Sequence, residues 1–256
     1  MENEKKRLIY YKDNMTKSQH MLAYAVFAII IAAIFYIYYH LIIISIIGGM
    51  LFAVIEEKRY SKRVIKKRQD KLRIQFKEFL DIITVSISGG RGQSMENAIR
   101  DAQRELRMLF NAEADIIREI ELIVSDFDHA GIPMKDSFKE LGERSNIDDI
   151  ASFATIYATI DGKTSDFGYI VTRTRDIIKD KVEISMEIET TITSAKSETT
   201  MMLILPLLLI IVMSVMGSGF LDALFTTAVG RAAATFGLAC TLVSYEIASK
   251  ATDIEV

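Results

Sequence analysis

The sequence has no tryptophan, one cysteine and two prolines in 256 residues. The lone cysteine, Cys240, excludes an internal disulfide and a thiolate metal cage. It lies in an apolar run and reads as a small packed hydrophobe. With so few prolines, nothing interrupts long helices. Charge is also missing, but only in places. Residues 21–55 contain no Asp, Glu, Lys or Arg, and residues 201–245 contain only Asp222 and Arg231. A chain that folded around one soluble core would mix its charges along the sequence. Blockwise segregation of this kind points to membrane segments.

What is there begins with those two apolar blocks. Met21–Ile55 is 35 residues. At about 1.5 Å per residue a single helix of that length overshoots a hydrocarbon core of about 30 Å. Two shorter helices with a tight turn near Tyr38-Tyr39-His40 fit better. Tyr36, Tyr38 and Tyr39 would then sit at headgroup level. Gly48-Gly49 reads as a close-packing point inside the second helix. The later block divides into Met201–Gly217 and about Arg231–Ala248, with glycines opening the loop between them. The basic stretch Lys5, Lys6, Arg7, Lys12 and Lys17 precedes an apolar run too long for a signal peptide, so it reads as the flank of an uncleaved anchor.

Lys and Arg set the expected orientation. Nine basic residues, from Lys58 to Arg73, follow the first block, and five precede it. Basic flanks on both sides require an even number of crossings, and the positive side faces the cytoplasm. The expectation is an all-α chain with four transmembrane helices, arranged as two hairpins flanking a six-helix cytoplasmic bundle. Its expected segments are 1–19, a cytoplasmic N-terminal segment; 20–56, the first hairpin; 57–73, a basic juxtamembrane helix; 74–200, the helical domain; 201–249, the second hairpin; and 250–256, a cytoplasmic tail.

Within the polar middle, apolar residues recur at helical spacing. The stripes are Ile65, Leu72, Phe76, Phe79, Ile83; Met95, Ile99, Ala102, Leu106, Leu109; Ile116, Ile120, Ile123, Phe127; Met134, Phe138, Leu141; and Ile150, Phe153, Tyr157, Ile160. A sixth helix runs from about Asp166 into the membrane. It has two apolar stripes on opposite sides, Ile178, Val182, Met186 and Ile184, Ile188, Ile192, which suits a helix packed on both sides. Gly92, Gly131 and Gly162 mark three turns. Each is followed six residues later by a small residue: Ala98, Ser137 and Gly168. Glycine supplies a left-handed helix cap, and the small residue permits close helix approach. Residues 74–200 carry 24 acidic and 15 basic side chains, a net of −9. Glu119, Asp126 and Asp128 are candidate contacts for a basic partner on this acidic face. The basic stem suits anionic lipid.

Catalytic and ligand motifs fail on inspection. Gly162-Lys163-Thr164 resembles the end of a phosphate loop, but position 157 is Tyr where glycine is needed. Asp126-Phe127-Asp128 resembles a calcium-loop opening, but Ala130 and Ser137 stand where oxygen ligands belong. The histidines His20, His40 and His129 are scattered and form no metal pair. No nucleophile elbow occurs. The stem lacks the interleaved aromatics of a nucleic-acid surface. These readings give no enzyme, no cofactor and no metal. No ionisable group falls at mid-span, which disfavours a small transporter or channel subunit. The opposed stripes at 178–192 are not the clean heptads of a membrane-anchored signalling scaffold.

Four stretches carry a resemblance: FLDIITVSISGGRGQSMENAI at Phe79–Ile99, AGIPMKDSFKELGERS at Ala130–Ser145, TSAKSETTMMLILPLLL at Thr193–Leu209 and TTAVGR at Thr226–Arg231. In this order, over roughly residues 60–248, the chain resembles the TadB-type inner-membrane platform proteins of tight-adherence (Flp) pilus assembly, which carry the type II secretion system F domain. The TTAVGR loop favours the TadB type over the related TadC. The resemblance implies a non-catalytic platform that couples a cytoplasmic secretion ATPase to extraction of pilin subunits and filament growth. It also implies a TadC-like platform partner, a homo- or hetero-oligomer, and the inner membrane as location. The long helix would touch a second protomer or that partner through Ile184, Ile188 and Ile192.

Overall fold

The structure, a computed structural model, describes residues 7–88, 94–159, 164–216, 219 and 221–251. All regular structure among the described residues is helical. The helices are α1 (Lys17–Tyr39), α2 (Ile42–Ser88), α3 (Met95–Leu109), α4 (Asp115–Ala130), α5 (Met134–Ser145), α6 (Asp148–Thr159), α7 (Thr164–Val215), α8 (Asp222–Thr226) and α9 (Ala228–Ala251). Two compact units form: Met1–Asn14 with Lys62–Ile184, and Met15–Ser61 with Ser185–Val256. Among the described residues three helical stretches are long and apolar enough to cross a membrane: Lys17–Tyr39, Val171–Val215 and Ala228–Ala251. The chain is therefore all-helical, with the composition of a multi-pass membrane protein.

In the apolar unit, the Gln19 side chain accepts the Thr16 N–H at 2.9 Å and fixes the start of α1. The helix ends because His40 turns left-handed, at φ 50°, and its N–H bonds to Tyr36 O. A non-glycine residue in that region reverses the chain at modest strain. The apolar start of α2 then runs back antiparallel to α1. It comes very close. A Cβ on Gly49 would lie 2.7 Å from Ala28 O and 2.8 Å from Ala32 Cβ. A Cβ on Gly48 would meet only the Phe35 ring, at 2.8 Å. Glycine thus permits backbone-to-backbone packing of the hairpin.

The two glycines should respond differently to substitution. The Phe35 ring can rotate, whereas the α1 backbone at Ala28 cannot. Gly49→Ala is expected to cost about 1–3 kcal/mol through overpacking, and Gly48→Ala less. Thermal unfolding of the two purified variants in detergent checks this order. Equal midpoints would refute it.

The outer side of this hairpin is apolar. Ile42, Ile43, Ile46, Ile47 and Leu51 are all exposed. Tyr36 is exposed too, but Tyr38 is buried against Ala234 and Leu238 of α9. Tyr38 meets Thr241 Oγ1 at 3.3 Å, and the Tyr39 hydroxyl donates to Thr235 Oγ1 at 2.9 Å. Tyr38 thus packs in a helix–helix seam instead of facing outward. Its ring fills a helix contact, because an amphipathic phenol suits a helix–helix seam as well as a lipid boundary. The stretch between α7 and α9 contains α8 rather than loop alone. Arg231 Nε donates to Phe225 O, filling an end carbonyl of that short helix.

In the polar unit, the sequence stripes become one core. Leu72, Phe76, Phe79, Ile83, Ile99, Ala102, Leu106, Ile116, Ile120, Phe138, Leu141 and Ile150 are fully buried. Phe138 sits at the centre of an aromatic cluster. Its ring centroid lies 5.7 Å from Phe79, 5.3 Å from Phe153 and 5.9 Å from Tyr157. Leu109 departs from its stripe and is exposed with Met108, because α3 ends there. Gly131 caps α4 with φ 66°, and its N–H bonds to Asp126 O. Gly92 and Gly162 lie outside the described residues. Of the small residues that follow the three glycines, Ala98 and Ser137 are buried, and a Cβ on Gly168 would meet Ile87 at 3.2 Å. A tighter approach than that at Gly168 lies elsewhere. A Cβ on Gly142 of α5 would fall 2.9 Å from the Ala151 Cα of α6.

Segment boundaries differ from those expected. The basic stem is not a separate helix, since α2 is continuous from Ile42 to Ser88. The long helix expected to run on from about Asp166 is α7, one helix from Thr164 to Val215 with Pro206 inside it. A helix propagates through a change of polarity when no breaker intervenes, because its backbone bonds are indifferent to the solvent outside.

Candidate partner surfaces

Among the described residues no cluster of His, Cys, Asp or Glu is fit to hold a metal ion. The candidate sites that the sequence offers are charged and apolar faces, and burial separates them into two kinds.

Glu119 and Asp126 are not surface residues. They are 1% and 4% exposed. The expectation that both meet a basic partner is corrected: basic groups of the chain itself already hold them. Arg144 Nη2 donates to Glu119 Oε2 at 2.7 Å, and its Nη1 donates to Glu119 Oε1 at 3.2 Å. Arg144 Nε also faces Glu140 at 3.0 Å. The remaining partner of Glu119 is the Tyr10 hydroxyl, which donates at 2.8 Å. Burial, and then the nearby Glu119 charge, push the Tyr10 phenol well above its ordinary pKa. Asp126 takes Arg7 Nη2 at 3.0 Å, and Arg7 also pairs with Glu140. Two further carboxylates complete the set. Asp115 binds Arg68 at 2.7 and 2.9 Å. Asp149, 4% exposed, sits between Arg73 at 3.2 Å and Lys181 at 2.6 Å. Arg68 and Arg73 of the basic stem thus tie α2 to α4 and α6.

Asp128 is different. It lies on the surface and pairs with Arg100 of α3. The Arg100 guanidinium holds its carboxyl below the usual carboxylate range. Five basic residues of the stem, Lys58, Lys62, Arg63, Lys67 and Lys71, are exposed. On α7, Ile178 and Val182 are buried, while Ile184 is 52% exposed and Ile188 and Ile192 are half-buried. Met186 is exposed as well, so the buried stripe of this helix ends at Val182. Sequence reasoning missed Tyr10 and Arg144. A tyrosine between two charged runs carries no periodic signal, and an arginine near a helix end reads as a solvated cap.

No protein-family model matches this chain, and neither a curated protein nor a solved structure matches it.

Proposed function

We propose that the chain is a non-catalytic membrane platform for pilus assembly or protein secretion, of the TadB type. It couples a cytoplasmic secretion ATPase to the lifting of pilin subunits, with a TadC-like partner and the inner membrane as its place of action. The observation that carries this reading is the order of segments: apolar hairpin, basic stem, polar helical unit and a second apolar pair, with the four sequence stretches in register. In this reading the chain crosses four times and keeps both termini and the polar unit in the cytoplasm. The second crossing is the start of α2. Its apolar run Ile42–Ile55 is 14 residues, about 21 Å of helix at 1.5 Å per residue. That is short of the hydrocarbon core, but its outward isoleucines suit lipid, and a short span is accommodated by local thinning and snorkelling of flanking charges. The exposed lysines and arginines of the stem suit anionic headgroups.

Two measurements test the proposal. Detergent-solubilised full-length protein should retain the secretion ATPase when the two are co-expressed and the chain is captured. A folded chain that captures no ATPase refutes the coupling. For the long helix, Ile184→Cys or Ile188→Cys in a Cys240→Ser background is expected to give a disulfide-linked dimer, or a link to the TadC-like partner, in native membranes. Monomer alone removes that contact.

A further inference from the structure

The N-terminal segment before α1 is seated on the polar unit as a peptide is seated on a receptor. Residues 7–9 are non-helical and lie against α4 and α5. Three kinds of recognition act on it. Arg7 reaches two carboxylates, Asp126 and Glu140. The main chain is gripped at both polarities: Arg144 Nη1 donates to Leu8 O at 2.8 Å, and the Tyr10 N–H donates to Arg144 O at 2.9 Å. The Tyr10 side chain, 1% exposed, enters a pocket with the Glu119 carboxylate at its floor. The Arg68 guanidinium lies over its ring at 5.1 Å. Asn14 then donates to Ile9 O at 3.0 Å and closes a turn behind the tyrosine.

We propose that this α4–α5 groove is a peptide-binding site for a basic–aromatic segment of the form Arg-x-x-Tyr, and that its occupant is the chain's own residues 7–10, held as a releasable strap. Two observations make release local. At the floor of the groove Glu119 keeps a partner without the strap, because Arg144 remains paired with it and with Glu140, whereas Asp126 gives up Arg7. Emptying the site therefore strands no bare buried carboxylate at Glu119. Besides its side chains, the strap is held by two bonds to its main chain, at Leu8 O and the Tyr10 N–H, whereas the helices beneath are bonded at every turn. Elements with few backbone bonds open first. Three residues after Asn14 the chain becomes α1, so the strap is next in sequence to the first apolar helix.

Hydrogen exchange on the full-length protein in detergent tests the strap. In the wild type the Tyr10 amide is protected. In Arg7→Ala its exchange is expected to quicken at least tenfold while the α4 and α5 amides keep their rates. If Tyr10 gains no exchange, or if α4 and α5 open together with it, the segment is part of the core and the proposal falls. The trans arm uses a fluorescent peptide of residues 4–14. It is expected to bind the Arg7→Ala, Tyr10→Ala double variant and not the wild type, where the tethered strap competes at high effective concentration. Equal binding to both proteins, or none to the variant with α4 and α5 still protected, overturns the groove as a peptide site. Neither arm needs the secretion ATPase, so failure here is separate from failure of the platform reading.

Discussion

Glu119→Ala is expected to destabilise the polar unit by about 3 kcal/mol, the low end for a broken buried ion pair. Two groups lose a partner and a void is left. The Arg144 guanidinium, with a side chain 12% exposed, keeps Glu140 and Leu8 O but loses its bidentate carboxylate. The Tyr10 hydroxyl loses its acceptor in a buried pocket. A cavity opens where the side chain stood. Retention of Glu140 is why the loss falls at the low end. For a domain of this size, about 3 kcal/mol lowers the thermal midpoint by roughly 6–12 °C. Glu119→Gln, which keeps an acceptor, should fall between. Asp128→Ala is the contrast. Its exposed pair with Arg100 is the kind that contributes little in water, so its midpoint should stay at the wild-type value. If Glu119→Ala unfolded no earlier than Asp128→Ala, the buried network would not be structural.

The largest packing effect is expected at Phe138. It has no exposed surface and touches the Phe79, Phe153 and Tyr157 rings within 6 Å of its centroid. Phe138→Ala removes a whole ring from between α2, α5 and α6. Truncations of this type cost about 3–5 kcal/mol, part from lost transfer and part from the cavity. Aromatic edge and stacking contacts add about 0.5–1.5 kcal/mol per pair beyond area, which favours the upper half of that range. Met108→Ala is the matched control, since Met108 is 79% exposed and leaves no cavity. Thermal unfolding followed by circular dichroism in detergent separates the two variants. Similar midpoints would mean that the aromatic cluster is not the centre of the unit.

The helices themselves were legible because burial repeats at the helical period. Leu72, Phe76, Phe79 and Ile83 needed only spacing to be placed in a core, and all four are buried. A turn within the first block was legible because 35 uncharged residues exceed one crossing, and the tyrosines beside His40 marked its place. Charge misled where burial and exposure use the same letters. Glu119 and Asp126 read as a solvated acidic face, because a sequence does not say which carboxylates have found an arginine. Their partners, Arg144, Arg7 and Tyr10, lie 25, 119 and 109 residues away in the chain. No local pattern spans such distances.

The amino-acid sequence by itself determined an all-helical chain with apolar stretches of membrane-crossing length and a polar, periodic middle. That follows because hydropathy blocks and helical spacing act residue by residue along the chain. Only the tertiary structure decided that Gly49 is pressed against the backbone of α1, that Glu119 and Asp126 are held by the chain's own basic groups, and that Tyr10 is buried in the polar unit. Those outcomes depend on which side chains meet across tens to more than a hundred residues, and packing and ion pairing are fixed only when the helices are in place.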